Sequence, residues 1–115
     1  MTIRPALGAA AVAAAALALS VTPASAAQQQ TGAFECQQGQ ACFFETTSFS
    51  GKVVVYNDVP SACTVLPFAP GALFNWSTED VLLYRTADCT GPANLEPANN
   101  FHSYPSTKFL SFRAG

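Results

Sequence analysis

Four cysteines, Cys36, Cys42, Cys63 and Cys89, constrain this chain more than any other feature, because all lie beyond an apolar leader in a segment too short to rely on its core alone. The leader has one charged side chain, Arg4, then an Ala/Leu/Val run from Ala6 to Leu19, then Ala24-Ser25-Ala26, the small-x-small pattern that signal peptidase cuts. That run is shorter than the about 20 apolar residues that span a bilayer, and no stop-transfer charges follow it. Residues 1–26 are therefore read as a cleaved signal peptide and the protein as secreted. Cleavage leaves 89 of the 115 residues, one domain whose core alone is marginal. An even number of cysteines in an exported domain of this size predicts two disulfides, each contributing roughly 2–4 kcal/mol. Zinc would need close ligand pairs, which these spacings do not supply.

Four cysteines allow three pairings. The polar, glycine-containing turn Gln37-Gln38-Gly39-Gln40-Ala41 favours a bridge from Cys36 to Cys42, which leaves Cys63 with Cys89. Beyond the leader, Lys52, Arg85, Lys108 and Arg113 face seven acidic residues, a net charge near −3. A nucleic-acid partner needs a basic surface that this chain lacks. No basic amphipathic stretch points to a membrane, and a monomer is expected.

Residues 27–33 are Gln-rich and read as a disordered tail, with the domain covering 34–115. Within it, short apolar or β-branched runs read as strands: Ala41–Glu45, Lys52–Tyr56, Ala72–Trp76, Val81–Tyr84 and Phe109–Arg113. Between them stand breakers such as Ser48-Phe49-Ser50-Gly51, Asn57-Asp58-Val59-Pro60 and Pro97-Ala98-Asn99-Asn100. No helical period is sustained, so the fold class is all-β, an antiparallel sandwich or barrel.

The chain also repeats. Phe44-x4-Phe49-x-Gly51 matches Tyr84-x4-Cys89-x-Gly91: an aromatic, a second bulky anchor and a glycine at equal spacing. An aromatic that ends one strand can fold over a tight hairpin whose glycine supplies positive φ, while the second bulky residue ties the turn to the core.

The first of these spacings resembles the Greek-key signature of βγ-crystallin-like domains. Cys36-x5-Cys42-Phe43-Phe44-Glu45, then Phe49-Ser50-Gly51, then Ala72-Leu73-Phe74-Asn75-Trp76-Ser77 and Val81-Leu82-Leu83-Tyr84 are similar to the small secreted actinobacterial proteins of peptidase inhibitor family I36. The resemblance implies a disulfide-stapled Greek-key sandwich of two antiparallel sheets. For characterised members it implies inhibition of secreted metallopeptidases. The chain departs from calcium-binding βγ-crystallins, whose motifs carry several converging oxygen ligands. The corresponding stretches here are Phe68–Ala72, with no side-chain oxygen, and Thr107–Phe112, with only Thr107 and Ser111. No calcium site, other metal or cofactor is expected. Cys89 stands where the first motif has a ring, so the second hairpin is expected to depend on its disulfide.

Enzymatic chemistry finds no footing. His102 is the single histidine, and nothing groups it with a nucleophile and an orienting acid. Glu79-Asp80 reads as a turn, since neighbours in a strand point to opposite faces. A binding role has better material in Cys63-Thr64-Val65-Leu66-Pro67-Phe68, an extended apolar stretch tied by a cysteine and stiffened by proline. Thr64, Val65 and Leu66 are candidate peptidase-binding residues, with Val65 or Leu66 as anchor, because thermolysin-type metallopeptidases favour a bulky apolar residue after the cleaved bond. The alternative is that both side chains face the core. Trp76 is a further candidate contact, or else a ring packed on the sandwich edge. A structural or envelope-associated role without a specific target, and a small secreted toxin, are the competing functions; the negative charge argues against the toxin.

Overall fold

The computed structural model describes residues 28–30 and 34–115, so the expected signal peptide lies outside the described residues. The described residues form nine strands and no helix: β1 (Gln28–Gln30), β2 (Ala41–Phe44), β3 (Val53–Tyr56), β4 (Thr64–Val65), β5 (Ala72–Asn75), β6 (Val81–Tyr84), β7 (Asn94–Glu96), β8 (Asn100–Ser103) and β9 (Ser111–Ala114). They make two antiparallel sheets, ordered β1-β3-β2-β5-β8 and β4-β9-β6-β7. Each half of the chain contributes four strands, β2–β5 and β6–β9, and each half gives its third strand to the other sheet: β4 joins the second, β8 the first. The exchange interlocks the halves, an arrangement consistent with a crystallin-like Greek key.

The core between the sheets is built by strand alternation. Ala41, Phe43, Val54, Tyr56 and Leu73 of the first sheet meet Val81, Leu83 and Phe112 of the second, with Val59, Leu66 and Phe109 from the connections. Phe43 and Phe112 pack with ring centroids 4.8 Å apart, and Tyr56 packs on Phe112 at the same distance. The alternate residues Cys42, Phe44, Val53, Val55 and Ala72 form a second buried cluster on the outer side of the first sheet. β2 and β3 are thus buried on both faces, which is why they read as continuous apolar runs rather than alternating ones.

Four expected strands match β2, β3, β5 and β6 to within a residue, while the expected Phe109–Arg113 forms as Ser111–Ala114. Four strands lie outside the five expected: β1, β4 within the stretch read as extended, β7 and β8. β7 (Asn94-Leu95-Glu96) and β8 (Asn100-Phe101-His102-Ser103) are largely exposed edge strands without an apolar face. Asn100, read as a breaker, begins β8; the break falls at Asn99, whose φ is 59°. The segment read as a disordered tail carries β1, which pairs Gln28–Gln30 with Val53–Val55. The pairing uses main-chain groups of an otherwise open sheet edge, so it leaves no trace in side-chain pattern.

Candidate functional site

The two repeated hairpins frame the site. Phe49 and Cys89 both adopt left-handed backbone, with φ of 60° and 57°, and Gly51 and Gly91 follow at 82° and 84°. In the first hairpin Thr46 Oγ1 accepts from the Ser50 N–H at 3.1 Å and lies 3.2 Å from the Ser50 carbonyl, to which it can donate. In the second, Thr86 Oγ1 makes the same two contacts with Thr90, each at 3.0 Å. Thr46 and Thr86 are thus part of the repeat, although the sequence pattern had singled out only the aromatic, anchor and glycine positions. Thr90 Oγ1 also donates to Asp88 Oδ1 at 2.6 Å, and that bond, with Thr86, holds the Asp88 carboxyl below the usual carboxylate range.

The anchors of the two turns differ. Phe49 packs its ring against Phe44 at 5.5 Å and Phe101 at 5.9 Å. Cys89 is bonded to Cys63, as Cys36 is to Cys42. The Cys89 N–H donates to Ser111 Oγ at 3.0 Å, and Ser111 Oγ donates to the Thr86 carbonyl at 2.5 Å. The Ser111 hydroxyl, one of the two oxygens remaining in the second calcium-type stretch, is therefore spent on holding this hairpin.

The Cys63–Cys89 bridge ties the second hairpin to β4, which among the described residues is an edge strand of the second sheet. β4 pairs Thr64 with Phe112 and Val65 with Ser111, and the Leu66 N–H donates to the Leu110 carbonyl at 2.9 Å. In an antiparallel ladder the alternate residue turns its main-chain groups the other way. Val65 accordingly directs its N–H and C=O to the open edge, and its side chain is 61% exposed. Leu66 is 6% exposed and belongs to the core between the sheets. Of the two candidate anchors, Leu66 is a core residue, because the alternation that turns Val65 out must turn Leu66 in. Thr64 is half-buried and its hydroxyl donates to the Ala62 carbonyl at 3.0 Å.

Trp76 is not brought to this edge. It follows β5 in the first sheet, half-buried, stacked on Phe74 at 5.5 Å with the ring planes 21° apart. The Trp76 backbone N–H donates to the Gln40 carbonyl at 2.9 Å, which holds this part of the chain beside the Cys36–Cys42 turn.

The ionisable residues gather elsewhere. Glu96, 1% exposed, closes the gap between β7 and β8: its Oε1 lies 2.8 Å from His102 Nδ1 and accepts from the Tyr104 hydroxyl at 3.1 Å. Burial, then the Glu96 charge and that hydrogen bond, push the Tyr104 hydroxyl far above the usual phenol range. Sequence reasoning missed this trio, since Glu96 lies six and eight residues before His102 and Tyr104 and meets them only when the two sheets pack. Neighbouring Asn75 is fully buried, its amide donating to the carbonyls of Glu79, Glu96 and Pro97. Among the described residues no three His, Cys, Asp or Glu side chains converge as a metal site would require.

No curated protein and no solved structure matches the chain. The family model described as peptidase inhibitor family I36 does, over residues 29–95, which runs from β1 into β7 and takes in both hairpins and both disulfides. With more than half its length matched, the chain belongs to peptidase inhibitor family I36, a family of inhibitors rather than enzymes.

Proposed function

We propose that the protein is exported with loss of residues 1–26 and, as a monomer of residues 27–115, blocks an extracellular metallopeptidase by non-covalent occupation of its cleft. The observation that carries this reading is Val65: an apolar side chain 61% exposed on a free sheet edge, two residues from a disulfide. An edge strand docks by adding main-chain hydrogen bonds to a strand of its partner, and Val65 already directs its N–H and C=O outward. The adjacent residues hold it in place. Cys63 is bonded to the second hairpin, and Leu66 is sunk in the core with its N–H on Leu110. Little conformational entropy is then lost on docking. The bulky apolar side chain of Val65 suits a pocket of the thermolysin type, which takes such a residue after the cleaved bond.

The test is inhibition of a thermolysin-like metallopeptidase, with subtilisin and trypsin in parallel, by the oxidised protein of residues 27–115. Tight inhibition of the metallopeptidase is expected, weakened at least about tenfold by Val65→Asp, as for a central interface residue. Absence of inhibition of any of the three enzymes would overturn the reading in favour of a structural role, and inhibition insensitive to Val65→Asp would move the contact to another surface.

A further inference from the structure

The outer face of the first sheet carries an aromatic groove for which docking through Val65 has no use. Six rings meet there in an unbroken arc. Phe34 packs on Phe44 at 6.3 Å, Phe44 on Phe49 at 5.5 Å, Phe49 on Phe101 at 5.9 Å, Phe101 on Phe74 at 5.6 Å, and Phe74 on Trp76 at 5.5 Å. With Glu35 and Cys36 they line an open cavity of about 470 Å³, within the size range of small-molecule sites. Most of these rings cover the buried cluster of this face and keep part of their surface open. Phe34, Phe49, Phe74 and Trp76 are half-buried and Phe101 is 59% exposed.

The lining narrows the choice of ligand. Glu35 is its one charged residue, and among the described residues its carboxylate has neither a hydrogen bond nor an ion pair. Aromatic rings attract cations through their quadrupole, most strongly where water is displaced. A primary ammonium or a guanidinium would enter with three to five N–H donors, and among the described lining residues Glu35 supplies the only side-chain oxygen to receive them. Those donors turned toward the rings would lose their water without gaining a partner, while those facing the open side would keep it. A quaternary ammonium has no N–H to satisfy, presents methyl groups to the rings and keeps its charge for Glu35. We propose that the groove is a binding site for a quaternary ammonium group carried by a small molecule of the choline type. The site lies on the first sheet and Val65 on the second, so the two readings stand or fall separately.

Trp76 is the only tryptophan in the chain and lines the groove, so its fluorescence reports occupancy. The oxidised protein of residues 27–115 is titrated with choline and with the neutral carbon isostere in which a tert-butyl group replaces the trimethylammonium. Choline is expected to give a saturable change, with the isostere about tenfold weaker. Phe101→Ala is expected to weaken choline by about tenfold and Glu35→Gln by about threefold. Both residues are exposed, so the fold should survive either change, and far-ultraviolet circular dichroism checks it. No saturation up to about 100 mM choline would overturn the proposal. Equal binding of the isostere would do so too, since it makes the groove an apolar slot with no preference for charge, as would unchanged affinity in the Glu35→Gln protein.

Discussion

The hairpins at Phe44–Gly51 and Tyr84–Gly91 share a backbone and differ in what holds them. Both put a residue other than glycine into left-handed backbone before a glycine at positive φ, and both close the turn on a threonine hydroxyl. The first is anchored by the Phe49 ring, lodged between Phe44 and Phe101; the second is anchored by the bond from Cys89 to Cys63. A ring stabilises only its own surroundings, by area removed from water. A covalent bridge also restrains whatever carries its other end, here the strand that exposes Val65. Replacing the ring by sulfur couples the second hairpin to the candidate binding edge, a link the first hairpin does not have.

Removing each anchor tests this directly, and gives the largest effects. Loss of the Cys63–Cys89 bridge by paired Ala substitution is expected to cost about 3 kcal/mol in denaturant unfolding, from the 26-residue separation it closes. It should also weaken peptidase inhibition. Phe49→Ala is expected to cost about 2 kcal/mol for a half-buried ring, with inhibition unchanged. Equal loss of inhibition in both proteins would show that the bridge restrains the Val65 edge no more than the ring does.

The glycines of the two turns differ in their surroundings. Gly51→Ala and Gly91→Ala each place a side chain at positive φ, worth about 1 kcal/mol. A Cβ at Gly91 meets nothing within 4 Å, whereas at Gly51 it falls 2.7 Å from Glu45 Oε1, which accepts the Lys52 N–H at 3.1 Å. Gly51→Ala should therefore be the worse of the pair, at about 2 kcal/mol in total once that bond is disturbed. Unfolding curves that ranked them the other way would show that the second turn tolerates less than its open surroundings imply.

The smallest expected effects come from the shared feature. Thr46→Val and Thr86→Val each remove one hydroxyl that closes a turn, and each should lose about 1 kcal/mol by the same measurement. A marked difference between them would mean that the hairpins are not equivalent where their geometry says they are.

Not everything in the site was legible before the fold was known. Cys63-Thr64-Val65-Leu66 announces an apolar, tethered segment, but two adjacent apolar residues carry no sign of which faces out; that waits on the register of Val65 with Ser111. β7 and β8 were illegible because an exposed edge strand needs no apolar alternation, only main-chain partners. Glu96, His102 and Tyr104 were illegible because they come from β7, β8 and the loop after β8.

Local chemistry is written in the chain itself: runs of Val, Phe and Leu that pleat, glycines where φ must be positive, and cysteines enough for two bridges. Those features determine that the chain is all-β, where its turns fall and which family it resembles. The exchange of β4 and β8 between sheets, the outward turn of Val65 and the gathering of six rings into one groove belong to the tertiary structure. Each depends on which strand lies beside which, and pairing between residues far apart in sequence leaves no local pattern to read.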